Sequence, residues 1–136
     1  MCHPRNIPLC DVTTGQRKTL GEAASGRKCL VEFWSLDTEN GPRTLDVLQI
    51  IAGSTHFASY QFMSVCCTTM EDFKNLMAKN EDPSRWNRLS LFVLWLEDEE
   101  VAREAIDMTH YPHYAAFSSD GSLSLSSKTL NLTLLP

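Results

Sequence analysis

"LVEFWSLDTENGP" (residues 30–42) is the stretch on which the reading of this chain turns. An apolar run ending in Phe33 and Trp34 gives way at once to polar residues, and Gly41-Pro42 open a helical pattern. Residues 29–34 are nearly continuously apolar, with β-branched and aromatic members, which suits a buried central strand. Over residues 42–57 Leu45, Leu48, Ile51, Ala52 and Thr55 recur at helical spacing, and Val47 and Ile50 widen the stripe. Asp37 or Thr38 is placed to cap the first turn, and Pro42 is tolerated there because first-turn amides lack an intrahelical partner. The junction itself holds Asp37, Thr38, Glu39, Asn40 and Gly41, and no cysteine.

The flanking segments alternate in the same way. Residues 7–12 and 16–20 read as a short hairpin around Thr13-Thr14-Gly15. Residues 21–26 form a turn or a single helical turn. Residues 60–66 are the next strand, and 69–79 a helix with Met70, Phe73, Leu76 and Met77 on one face. A loop at 80–88 leads to a strand at 89–96 and a helix at 97–107. Residues 111–117 and 123–125 flank Ser119-Asp120-Gly121, a hairpin signal. The order is hairpin, β-α-β-α-β-α, hairpin. This is an α/β chain with a central sheet and helices on both faces.

The chain has 136 residues, 43% of them hydrophobic and 21% charged, which suits one domain with a real core. A net charge of −5 without clustered Lys or Arg argues against nucleic-acid binding. No apolar run approaches the length of a membrane span. The start, MCHPRNIPLCD, lacks the apolar core of a secretory signal. Cysteines 2, 10, 29, 66 and 67 are odd in number and show no framework spacing. They read as reduced thiols, and the expected location is cytoplasmic.

Three segments together carry a resemblance. "NIPLCDVTTGQRKTLGEAASGRKCLVEFWS" resembles the opening of the thioredoxin superfamily branch that holds peroxiredoxins, TlpA/ResA-type proteins and tryparedoxins. "FMSVCCTTMEDFKNLMAK" is similar to the strand and helix that follow the redox helix there. "EEVAREAIDMTHYPHYAAFSSDGSLSL" is similar to the segment with the family's cis-proline and its D-G hairpin. The resemblance spans roughly residues 6–126 and implies a thioredoxin-like fold with a central mixed sheet. Residues 1–126 would be the domain, 1–6 its mobile start, and 127–136 a tail.

The family's W-x-x-W-C-x-x-C, counted from Trp34, puts its two thiols at Thr38 and Gly41. The peroxiredoxin pattern T-x-x-C-P falls in the same register, with Gly41 at the cysteine. Matching Gly41-Pro42 to the family's G-P instead leaves Asn40 and Arg43 at the thiol positions. Every register loses both. The nucleophile in these reactions is a thiolate stabilised by the helix N-terminus. A threonine hydroxyl stays protonated and glycine has no side chain.

Other residues offer less. Cys66-Cys67 lie after the third strand, but adjacent Cα atoms ~3.8 Å apart fall below the ~4.4 Å lower end for ordinary disulfides. Buried thiols are the simpler reading. His110 and His113 bracket Tyr111-Pro112 and supply half of a typical metal shell, so no metal is expected. The acidic run at Glu97, Asp98, Glu99 and Glu100 reads as a helix start whose carboxylates complement the dipole.

The resemblance therefore implies a redox-inactive, non-enzymatic module that binds protein, without a cofactor, a nucleic acid or a membrane. Its groove would be lined by Trp34, Leu36, Thr38, Asn40, Gly41, Tyr111, Pro112 and His113, with the Tyr111–Pro112 peptide cis. An extended segment can be held there through backbone hydrogen bonds. The alternative is a residual monothiol oxidoreductase using Cys66 or Cys67. A ligand-binding domain of glutathione type without turnover rests on analogy alone. The family's final helix is replaced by "SSKTLNLTLLP", in which Leu130, Leu132 and Leu134 alternate at the period of a strand. Those leucines are the expected contact with a partner or a second copy.

Overall fold

The apolar run before the junction becomes the middle of a sheet because both of its faces must be kept from water. The structure, a computed structural model, describes residues 3–38, 41–80 and 82–135. A hairpin of β1 (Pro8–Asp11) and β2 (Arg17–Thr19) leads through the short helix α1 (Leu20–Ala24) to β3 (Lys28–Ser35). Then come α2 (Gly41–Ala52), β4 (Tyr60–Cys67), α3 (Met70–Ala78), β5 (Leu89–Leu94) and α4 (Glu99–Ile106). A hairpin of β6 (His113–Phe117) and β7 (Leu123–Ser127) follows. The strands form one seven-stranded sheet in the order β2-β1-β5-β4-β3-β6-β7. β3, β4 and β5 run parallel, and the hairpins add antiparallel edges.

Pleating divides the core in two. Cys29, Val31 and Phe33 of β3 join Met63, Val65 and Cys67 of β4 beneath α1 and α4. Leu30 and Trp34 join Phe62 and Cys66 beneath α2 and α3, with Leu45, Leu48 and Phe73 above them. The central mixed sheet with helices on both faces is thus as the sequence leads one to expect. β3 also carries one acid into this interior: Glu32, on the α2 side, is 1% exposed.

Local chemistry sets the element ends. Thr19 and Glu22 make a capping box at α1, each side chain taking the other's backbone N–H. Thr69 caps α3 by accepting from the Asp72 N–H at 3.1 Å. α2 stops at Ala52, short of the predicted residue 57. Ser54 then accepts from the His56 N–H and starts a separate 3-10 turn, Thr55–Phe57. The Asp120-Gly121 turn closes the last hairpin, with Gly121 at φ +87° and Asp120 Oδ1 accepting from Ser122 N–H at 2.9 Å.

The C-terminal segment departs from expectation. Alternating leucines predict a strand, but the structure places a 3-10 turn at Leu132–Leu134. Asn131 Oδ1 accepts from the Thr133 N–H at 3.1 Å and from its hydroxyl at 2.6 Å, which bends the chain before a ladder can form. Leu130 and Leu135 pack on the α2-side core, so the segment folds back on its own sheet. The Leu134 side chain lies outside the described residues. Among the described residues no helix is long and apolar enough to cross a membrane.

Candidate functional site

The parallel strands end together, and their C-terminal ends meet the loop after β3 and the loop before β6. Trp34 is the last large side chain of β3 on the α2 side. It is 0% exposed, its indole N–H donates to Ser64 Oγ at 2.7 Å, and its ring meets Phe73 at a centroid distance of 6.4 Å. The sequence reading put Trp34 in the groove. The pleat instead turns it into the core, where its burial of ~200 Å² is worth ~5 kcal/mol before entropy.

The loop that follows is held by its own polar groups. The Ser35 N–H donates to Thr38 Oγ1 at 2.8 Å, and the Thr38 N–H donates to Ser35 O at 3.0 Å. Thr38 carries the Gly41 N–H on its carbonyl at 3.1 Å. Gly41 opens α2 directly against the indole. A Cβ there would lie 3.0 and 3.2 Å from Trp34 Cε3 and Cζ3. Of the expected groove residues, Leu36 is 42% exposed, while Thr38, Tyr111 and Pro112 are half-buried. Asn40 lies outside the described residues.

The Tyr111–Pro112 peptide is cis and brings its loop beside the Ser35–Thr38 turn's edge of the sheet. His113 does not line the groove. It opens β6, is buried, and its Nε2 pairs with Ser126 Oγ at 2.6 Å, while Nδ1 has no partner. Burial holds its imidazole below the ordinary pKa; Lys128 adds to this and Asp107 opposes it. His110 is exposed and pairs with the Thr109 hydroxyl, so the two histidines face different surroundings.

A cluster absent from the sequence reading lies between these loops. Glu99, at the start of α4, turns inward. Its Oε2 accepts from the Tyr111 hydroxyl at 2.8 Å and from the Cys67 thiol at 3.2 Å. Arg103, one turn on, pairs with the same oxygen at 3.5 Å and lays its guanidinium over the Tyr111 ring. A cavity of about 380 Å³ opens on this cluster, with Leu36 and Asp37 at its rim. The one hint in the sequence is that Glu99 and Arg103 are four apart on a helix. Cys67 and Tyr111 reach them only through tertiary closure.

Electrostatics keep this thiol protonated. Burial pushes Cys67 up to about 11; the Tyr111 hydroxyl and Arg103 pull it down, and the Glu99 carboxylate adds to the rise. At neutral pH the thiolate fraction is then on the order of 1 in 10⁴. Cys66, on the opposite face, is wholly buried and shifted upward by burial and by its neighbour. Cys10, Cys29, Cys66 and Cys67 are all unpaired. Glu99 is held below its ordinary value: burial opposes, but Tyr111, Cys67 and Arg103 outweigh it.

No family model and no curated protein matches this chain. Solved structures do. The thioredoxin domain of a thiol-disulfide oxidoreductase from Bacteroides vulgatus superposes with a TM-score of 0.70 at 18% identity, covering 98% of this chain and 93% of that one. The exposed lipoprotein thioredoxin Etrx1 of Streptococcus pneumoniae gives 0.69 at 18% identity, over 91% and 89%. The reduced N-terminal domain of PilB from Neisseria meningitidis gives 0.68 at 16%, over 90% and 84%. At such identities the shared property is the fold, and this fold is thioredoxin-like.

Proposed function

We propose that this chain is a thioredoxin-fold module that binds an extended polypeptide at the end of its sheet and does not turn over disulfides or peroxide. One observation carries the reading. The position that the family resemblance assigns to a thiol is Gly41, and its backbone sits so close to the Trp34 ring that an added Cβ would fall 3.0 Å from Cε3 and press on the ring. The other assigned position, Thr38, uses its hydroxyl to tie the loop to Ser35. Neither of these two positions offers a thiol. What remains accessible is Leu36, Thr38 and the Tyr111-Pro112 edge, a surface suited to a strand-like segment of a protein partner or of a second copy. A reducing compartment such as the cytoplasm fits the unpaired cysteines.

The test pairs activity with capture. Insulin-disulfide reduction and peroxide consumption should stay at buffer rates. A Leu36→Asp, Tyr111→Ala variant should lose the partner that the intact chain retains. Turnover surviving Cys66→Ser and Cys67→Ser would overturn the reading.

A second reading rests on the Cys67–Glu99 contact. Glu99 could take the Cys67 proton, and the thiolate would attack a disulfide RS–SR′, giving Cys67–S–S–R and releasing R′S⁻. The upward shift of Cys67 weighs against it at neutral pH. Peroxide or disulfide turnover lost in Cys67→Ser alone would select it.

A further inference from the structure

The α2 face of the sheet contains a second cavity, which shares no lining residue with the one at the Tyr111 loop. It has a volume of about 330 Å³, within the size range of small-ligand sites. Val47 and Ile51 of α2 form one wall, and Leu130 and Leu132 of the C-terminal segment form the other. At its base stands Glu32, flanked by Thr44 and Tyr114.

This acid is unusual in its company. The Thr44 hydroxyl donates to Glu32 Oε1, and the Tyr114 hydroxyl supplies a second hydrogen bond. Its cross-strand neighbour on β4 is Ser64, and the leucines of the C-terminal segment close the other side. Among the described residues Tyr114 is the one titratable group acting on it, and burial and Glu32 both keep that phenol protonated. No lysine or arginine pairs with Glu32 among the described residues. A carboxylate removed from water is costly unless a cation pairs with it. An anion would be repelled, and a neutral guest would leave the charge unpaired. Because Oε1 already serves the Thr44 hydroxyl, the forked geometry of a guanidinium has no matching pair of free oxygens. A compact ammonium needs only one approach.

We infer that the cavity between α2 and the C-terminal segment is a binding site for a primary ammonium on an unbranched apolar stem, the head on Glu32 and the stem against Val47, Ile51, Leu130 and Leu132. The chemistry is that of a free alkylamine or of a lysine side chain on a polypeptide. The site is independent of the peptide-binding reading above, since it shares no residue with the Tyr111 edge.

The experiment is a methyl NMR titration of Val47, Ile51, Leu130 and Leu132 with pentylammonium chloride, 1-pentanol, and lysine capped at both backbone ends. At pH 8 the ammonium should give saturable shifts at millimolar concentration, and the alcohol should bind at least about tenfold more weakly. Burial raises Glu32 to about 7, so affinity should fall roughly tenfold from pH 8 to pH 6 while the amine stays charged. Glu32→Gln should abolish the preference for ammonium over alcohol. Binding of the capped lysine as well assigns the site to polypeptide lysines. Binding of pentylammonium alone assigns it to free amines. Equal binding of the alcohol, an affinity unchanged between pH 6 and 8, or no saturation would overturn the inference. If Glu32→Gln does not fold, the wild-type pH series and the alcohol control decide.

Discussion

Gly41→Ala tests whether the indole of Trp34 closes the position that the family resemblance assigns to a thiol. The added Cβ would lie 3.0 Å from Cε3 and 3.2 Å from Cζ3, against ordinary carbon contacts of ~3.5–4.0 Å. Something must move by about half an ångström. The ring is poorly placed to do so, being fully buried, tied to Ser64 and backed by Phe73. Overpacking of this kind costs ~1–3 kcal/mol. Alanine recovers up to ~1 kcal/mol over glycine in a helix, and less at a first position. The net expectation is a loss of about 1–2 kcal/mol, or roughly 4–8 °C in Tm. Urea melts followed by tryptophan fluorescence and far-UV circular dichroism read it. In a Trp34→Phe background, which lacks both clashing atoms, the same substitution should be neutral or favourable. The coupling between the two changes should exceed ~1 kcal/mol. A Gly41→Ala protein as stable as its parent, or additivity with Trp34→Phe, would refute the reasoning and reopen Gly41 as a place a thiol could occupy.

Three further outcomes are expected. Iodoacetamide should modify Cys67 slowly at pH 8, with a rate that climbs about tenfold per pH unit toward its raised pKa near 11. Glu99→Gln should accelerate it, because the carboxylate helps raise that pKa. Glu32 is raised from 4.5 to about 7, so the native state holds its proton more tightly; its stabilising effect is complete below pH 4.5 and disappears as pH rises through 7. Denaturant melts should therefore show about 3 kcal/mol lost between pH 4.5 and 8 from this group, and Glu32→Gln should flatten that slope. Thr19→Ala, which removes the acceptor for Glu22 N–H, should cost about 1 kcal/mol in the same melts, and an unchanged midpoint would remove the capping box from the account of α1.

The elements were legible where burial forces a period. The apolar runs before Ser35, Thr68 and Trp95 became the three parallel strands, and the helical stripe of Leu45 and Leu48 became the buried face of α2. The family resemblance, counted from Trp34 without gaps, assigns the thiol positions to Thr38 and Gly41, and with a gap to Asn40 and Arg43. What a sequence cannot display is which side of a pleat faces which layer. Trp34, at a strand end beside a polar loop, reads as a groove residue, whereas the alternation of β3 places it with Leu30 over α2. Glu99 was hidden in a run of four acids whose helix-dipole explanation was sufficient without it. Its pairing with Cys67 and Tyr111 needed three separate segments to converge. Glu32 sits inside an apolar run, and there the signal is present: a charged residue in a central strand. The leucines at 130, 132 and 134 have the period of a strand, but the asparagine and threonine between them close a local turn that period alone does not register.

The strand order also bears on how the chain is made. Cys10 of β1 pairs with Val93 of β5, whereas β3 and β4 are neighbours joined by α2. During synthesis the β1–β2 hairpin leaves the ribosome before β5, yet its place in the sheet does not exist until β5 has emerged. A lone two-stranded hairpin is marginal in water, so Ile7 and Leu9, fully buried at the end, stay uncovered while the centre of the sheet assembles. The earlier hairpin is seated after the later strands, and the long loop it closes slows that step.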